Sequence, residues 1–331
     1  MTPSSNHRAS INHASWQPTI WILSVLTAIY VALWFFPFHH PFEKIGQFLP
    51  LHTAIETFSV VVAALIFAVG WHVYMLSRAT NVVLIACAFL AVALLDFGHF
   101  MSYSGMPEFI SPSSANKSIY FWLAARFIAA AALLAAVLLS WKPFSTLRSC
   151  YLIAAFCLCY TVAAFVLIHF FPAQLPLAFI AGTGLTPFKI VAEYAIVLIH
   201  IATALLLLVF MGNRLTDNEY SRNLFIAVCI MVLSELCFTL YTGVTDIYNL
   251  AGHLYKIVAY GFLYKAIFAI SIKAPLKNMQ QEQNILSIEK EFAQITLNSI
   301  GDAIITTDYD GAIVNLNPVA ETLTGWTQSE A

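Results

Sequence analysis

Two spacings in the chain pair an imidazole with a carboxylate: His52-x-x-x-Glu56 and Asp96-x-x-His99. Residues three or four apart on a helix share a face. Two helices that each offer a histidine and a carboxylate resemble the way bundle metal sites are built. Imidazole with carboxylate suits Zn, Fe, Mn or Cu(II). A third helix adds His253-x-x-Lys256, and a fourth adds the i,i+4 ion pair Lys189/Glu193; Arg126 and Glu235 contribute further charges. The candidate metal ligands are therefore His52, Glu56, Asp96, His99 and His253. The candidate cofactor-binding or charge-partner residues are Arg126, Lys189, Glu193, Glu235 and Lys256. The bound group stays open at this point: a transition-metal ion, a haem, or a small ligand or proton sensed in a polar pocket. The same residues can also be read as an internal salt-bridge network, in which the carboxylates only neutralise Arg126, Lys189 and Lys256. No HExxH occurs, so an intramembrane zinc protease has no motif support.

All of these residues lie inside apolar runs, and the runs decide what can position them. Of the 331 residues, 60 % are apolar and only 10 % charged, against about 25 % charged in soluble domains. Lipid must therefore be the solvent for much of the chain. The formal net charge of −2 offers no basic face for nucleic acid. A spanning helix needs about 20 mainly apolar residues. Eight such runs occur, at 18–37, 51–76, 81–101, 119–141, 149–171, 187–211, 222–242 and 250–272, with Pro37, Pro50, Pro143, Pro172 and Pro187 at or beside their ends. The fold class is an all-α polytopic membrane protein. Trp21, Trp34, Trp71, Trp122 and Trp141 fall near run ends, as an interfacial belt would have them.

The connections give an orientation. One set holds Arg8, Arg78, Lys142, Arg148, Arg214, Arg222, Lys273 and Lys277; the alternate set holds only Lys44 and Lys117. Basic residues near helix ends stay in the cytoplasm, so both termini are expected there. At ~1.5 Å per residue, the polar residues of five helices then fall within about 12 Å of the outer edge, and Glu235 of a sixth lies slightly deeper. His72, His200 and Lys265 lie deeper still or near the inner face. A charged side chain at mid-bilayer costs roughly 2.5–3.5 kcal/mol on insertion scales, so such a gathering reads as a functional site. The six cysteines all sit in or beside apolar runs and read as small hydrophobes, with no disulfide framework. His39, His40 and His169 are assigned to the interface, without a role.

From about Pro275 the chain turns polar. Ile285, Ile288, Phe292 and Ile295 repeat at spacings of 3, 4 and 3, a short a/d seam suited to a parallel homodimer through residues 276–297. A single amphipathic helix docked on its own domain is the other reading. Ala303–Thr307 and Ala312–Asn315 then read as strands around an Asp310-Gly311 turn, followed by a helix opening at Asn317-Pro318.

Taken in order, these pieces resemble the third MASE-type membrane-associated sensor family of bacteria. The residues that carry the resemblance are His52-x-x-x-Glu56, Asp96-x-x-His99-x-x-x-Tyr103-x-Gly105-Met106 and Trp122-x-x-x-Arg126. They continue with Lys189-x-x-x-Glu193-Tyr194, Ser234-Glu235-x-x-Phe238-x-x-Tyr241 and Gly252-His253-x-x-Lys256. Asp302-Ala-Ile-Ile, Asp308-x-x-Gly311, Asn317-x-x-Ala320-Glu321 and Thr324-Gly325-Trp326 resemble the opening of a PAS domain. The resemblance implies a sensory input domain coupled to cytoplasmic output modules, such as cyclic-di-GMP turnover or a histidine kinase. The expected organisation is a tail at 1–17, an eight-helix sensor at 18–272, a signalling helix at 273–297 and an incomplete PAS domain at 298–331. The chain then stops mid-domain, as a truncated piece of a longer protein would, and carries no catalytic domain of its own. Two other classes would use such a polar cluster, a transporter and a membrane haem or metal redox protein. The first would call for an inverted repeat or paired broken helices, the second for a clear pair of facing histidines.

Overall fold

The structure, a computed structural model, describes residues 6–35, 45–77, 80–139, 147–211, 218–243 and 245–331. Lys44, Arg78, Lys142, Arg214, Pro37, Pro143, His39, His40 and Trp141, which enter the expectations above, lie outside these. The chain divides into two units, residues 1–272 and 273–331.

The first unit holds α1 (Asn6–Leu33), α2 (Ile45–Ser77), α3 (Thr80–Met101), α4 (Ala115–Leu139), α5 (Leu147–Phe170), α6 (Pro187–Met211), α7 (Glu219–Cys237) and α8 (Ile247–Phe268). Each contains a stretch long and apolar enough to cross a membrane. The bundle has an inside and an outside. Of its apolar stretch, 78 % of α3 is buried, against 6 % of α1. α3 packs on α2, α4 and α5, and α8 closes the circle by packing on α2 and α7. α1 and α5 turn Trp21, Phe156 and Val162 outward, the arrangement expected where lipid replaces water as the outer solvent.

Two expectations need correcting. Pro50 sits inside α2, because that helix starts at Ile45 rather than at the apolar boundary. This early position limits the proline's cost to one backbone bond near the helix start. Trp122 is not in an interfacial belt: it is 2 % exposed, in the middle of the bundle.

Close approach at the site depends on one small residue. A Cβ at Gly252 would meet the Phe238 ring at 2.5 Å, so only glycine lets α7 and α8 meet there. Ser234 Oγ donates to the Gly252 carbonyl at 2.9 Å and ties the same crossing. Between α5 and α6 lies a short hairpin, β1 (Phe179–Ile180) against β2 (Gly184–Leu185). Asn116 anchors it to α4: its Oδ1 accepts from the backbone N–H groups of Ala178 and Phe179 at 2.8 and 2.9 Å.

A π turn, Ala269–Lys273, follows α8. The second unit holds α9 (Ala274–Ser299), β3 (Ile305–Thr307), β4 (Ile313–Leu316) and α10 (Pro318–Thr324). No side chain of α9 is buried. β3 and β4 pair antiparallel, with a bulge between Thr306 and Thr307. The turn is wider than the expected two residues. Asp308 Oδ1 accepts from the N–H groups of Asp310 and Ala312 at 3.0 and 2.9 Å, which shapes a loop that closes at Gly311, φ +85°. Asn317 is fully buried and caps α10; its Oδ1 accepts from Ile304 N and Ala320 N, both at 2.9 Å, and its Nδ2 donates to the Asp302 carbonyl at 2.9 Å.

Candidate functional site

The 3.6-residue period places His52 and Glu56 on the inward face of α2, and Asp96 and His99 on that of α3; all four are buried. Arg126 from α4 and His253 and Lys256 from α8 face them, also buried. Lys189 and Glu193 of α6 and Glu235 of α7 complete the ring, and none of the three is more than 2 % exposed.

Two ion pairs organise the centre. Lys256 Nζ lies 2.6 Å from both oxygens of Glu56, joining α8 to α2. Arg126 Nη2 lies 2.7 and 2.8 Å from the two oxygens of Asp96, joining α4 to α3. The pairs nearly touch, since Lys256 Nζ is 3.6 Å from Asp96 Oδ2. Tyr260, one turn beyond Lys256, donates to Asp96 Oδ2 at 3.3 Å. The indole of Trp122 holds both cations by its face, with Arg126 Cζ at 4.5 Å and Lys256 Nζ at 4.8 Å from the ring centre. Its Nε1 donates to Glu193 Oε1 at 3.1 Å. Glu193 pairs with Lys189, and Lys189 Nζ also donates to the Phe238 carbonyl at 2.9 Å. Glu235 is buried beside Glu193 and leaves Oε2 without a hydrogen-bond partner. Both pairs take charges out of water, where they survive only through this mutual contact.

The histidines are treated differently. His52 stacks on Tyr103 with ring centres 4.0 Å apart, and among the described residues neither of its ring nitrogens has a hydrogen-bond partner. His99 Nδ1 lies 2.8 Å from the Ser118 carbonyl, while Nε2 is unpartnered. His253 Nδ1 lies 2.6 Å from Glu56 Oε1. One donor atom from each of His52, Glu56, His99 and His253 falls within 4.8 Å of the others.

Of the expected metal ligands, four therefore meet and Asp96 does not: it is held by Arg126. Glu193 pairs with Lys189, as their spacing predicts, and also accepts from Trp122, while Arg126 and Lys256 take Asp96 and Glu56. His200 is buried away from the group, with Nδ1 unpartnered. His72 and Lys265 are exposed, and His169 meets Ser111 Oγ at 2.9 Å. Sequence reasoning gave no role to Ser118 or Tyr260. Tyr260 carried a signal, since it stands four residues after Lys256; Ser118 carried none, although both its carbonyl and its Oγ reach His99 Nδ1, at 2.8 and 2.9 Å, and its Oγ donates to the His99 carbonyl at 3.0 Å. Among the described residues no disulfide joins the six cysteines, four of which are buried.

Residues 44–275 match the MASE3 membrane-associated sensor domain, and residues 291–331 match the PAS fold. Over 62 residues the chain is 42 % identical to the probable diguanylate cyclase DgcE of Escherichia coli (strain K12), a match that covers 19 % of this chain and spans 6 % of that protein. No solved structure matches. A bundle of eight membrane-length helices, matched over more than half of the chain by one family, leaves a direct conclusion: the chain belongs to the MASE3 family of membrane-associated sensor domains and continues into a PAS fold.

Proposed function

We propose that residues 18–272 are the input domain of a bacterial inner-membrane signalling protein with both termini in the cytoplasm, and that its stimulus is perceived at the buried polar cluster. The observation that carries this reading is the convergence of ionisable side chains from α2, α3, α4, α6, α7 and α8 in one bundle interior. Groups so costly to bury are kept in membrane proteins where they serve a site. α8 bears His253 and Lys256 and is followed directly by the π turn and α9, which supports a route for the signal from cluster to PAS fold. Ile285, Ile288, Phe292 and Ile295 are 57–71 % exposed on α9. Their 3, 4, 3 spacing supports a parallel dimer through residues 276–297. The likeness to a probable diguanylate cyclase supports cyclic-di-GMP turnover as the output behind the PAS fold, with a histidine kinase as the other output class.

The test joins residues 1–331 to a diguanylate cyclase domain and measures cellular cyclic-di-GMP. Lys256→Met and Glu235→Gln should shift it several-fold at equal protein levels in the membrane. Unchanged output in both variants would sink the input role.

A further inference from the structure

We propose that His52, His99, His253 and Glu56 bind a divalent transition-metal ion, and that Glu56 is shared between that ion and Lys256. Only the regulatory meaning of this site rests on the sensory reading above; the site itself is argued from its donors.

His99 is prepared as a ligand. With Nδ1 at 2.8 Å from the Ser118 carbonyl, the ring proton sits on Nδ1 and the lone pair on Nε2, which is buried and has no partner. Metal-bound histidines are oriented by this same backbone hydrogen bond. Among the described residues, His52 offers two buried, unpartnered nitrogens, and its ring packs on those of Tyr103 at 4.0 Å and Phe48 at 5.6 Å. A buried polar group without a partner is an exception that calls for a cause, and an ion supplies one to both rings. The ring centres of His52 and His253 are 4.7 Å apart, those of His52 and His99 5.5 Å, and those of His99 and His253 5.8 Å. With metal–nitrogen bonds of about 2.0–2.1 Å, donors on one tetrahedral ion lie roughly 3.4 Å apart. The four donors here lie within 4.8 Å of one another, so side-chain rotations suffice to close the site. The adjoining cavity of ≈ 20 Å³, lined by His99, Trp122 and His253 among others, has room for about one water and none for a haem.

Glu56 is already engaged by Lys256 at 2.6 Å. An ion that takes one carboxylate oxygen weakens that pair, and the next acceptor for the ammonium is Asp96 Oδ2, 3.6 Å away. His253 and Lys256 share a face of α8, so loading acts on this helix twice: by pulling the imidazole to the ion and by moving the ammonium from α2 to α3.

The experiment uses the full chain, purified in lipid nanodiscs, stripped by chelator, loaded with Zn(II), Cu(II), Ni(II) or Co(II), dialysed and analysed for metal. The wild type should retain close to one ion per chain. His52→Phe keeps the ring on Tyr103 but removes both nitrogens. It should lose the ion, as should His99→Ala, with helicity unchanged. Lys256→Met should hold the ion more tightly and be stabilised by it more than the wild type, since the competing ammonium is gone. A wild type without a stoichiometric ion overturns the site, as does an ion retained by both histidine variants. Weaker binding in Lys256→Met overturns the sharing of Glu56. Should the histidine variants not fold, the Cu(II) resonance of the wild type decides: imidazole hyperfine structure supports the site and its absence refutes it. Output that responds to Lys256→Met in a protein that binds no ion refutes the metal and spares the input role; a bound ion with unresponsive output does the reverse.

Discussion

Replacing Asp96 with alanine isolates the energetics of the buried pairs. Arg126 and Asp96 have side-chain exposures of 4 % and 0 %, so water cannot take over for the missing carboxylate. Glu56 already binds Lys256 through both oxygens at 2.6 Å, and Glu235 already acts on Arg126 in the wild type. The aromatic faces of Trp122 and Tyr260, 4.5 and 5.6 Å from the guanidinium, act in wild type and variant alike and do not reduce the difference. Breaking a buried pair from one side costs about 3–5 kcal/mol. That corresponds to a loss of roughly a hundredfold to a few thousandfold in the ratio of folded to unfolded protein. The loss of the 3.6 Å contact from Lys256 adds little, because that ammonium keeps its shorter bonds. The double change Asp96→Leu with Arg126→Met removes both charges and should fall close to wild type, since apolar replacement of a buried pair is often neutral or stabilising.

Reversible unfolding in mixed micelles, followed by circular dichroism for the two single variants and the double, gives the coupling from the cycle. A cost below about 1 kcal/mol for Asp96→Ala, the range of exposed pairs, would refute the claim that the cluster is sealed from water. A double variant as unstable as the single would show that shape rather than charge is what Asp96 contributes.

Two further outcomes follow from the topology and from α9. A reporter joined after Lys277 should be active only in its cytoplasmic form, as the asymmetry of basic residues requires; a periplasmic signal would invert the bundle. Cysteines at Ile285 or Phe292 should crosslink between chains faster than cysteines at Ser287 or Lys290, and equal rates at all four would exclude a defined seam.

The eight helices were legible because length and apolarity alone define a span, and the gathering of polar residues because helix depth is a matter of counting. The pairing was not. Which carboxylate meets which cation depends on the rotation of each helix, and one residue of sequence turns a side chain by about 100°. Lys256 stands between Glu56 and Asp96, and the choice between 2.6 and 3.6 Å is made by packing. Trp122 was misplaced for a related reason. A tryptophan three residues into an apolar run reads as a belt residue, but α4 extends back to Ala115 and Lys117 is buried. Lys117 Nζ donates to the Phe109 and Ser111 carbonyls at 2.7 and 2.8 Å, so this basic residue is used by the loop that covers it.

The two kinds of polar group in the bundle answer different questions. Arg126, Asp96, Lys256 and Glu56 are mutually neutralised, and their bonds fix how α4 meets α3 and α8 meets α2. A network kept only for that purpose has no use for His52 and His99, whose unpartnered nitrogens weaken the bundle they sit in. The histidines lie against the pairs all the same, and Glu56 belongs to both sets. An ion that satisfies the imidazoles together with Glu56 would therefore disturb the bond from α2 to α8. A bond of this strength has two discrete states, made or broken, and both can be reached by moving one ammonium between neighbouring carboxylates. The resting network thus holds the bundle together and, through the same carboxylate, leaves it open to a second arrangement.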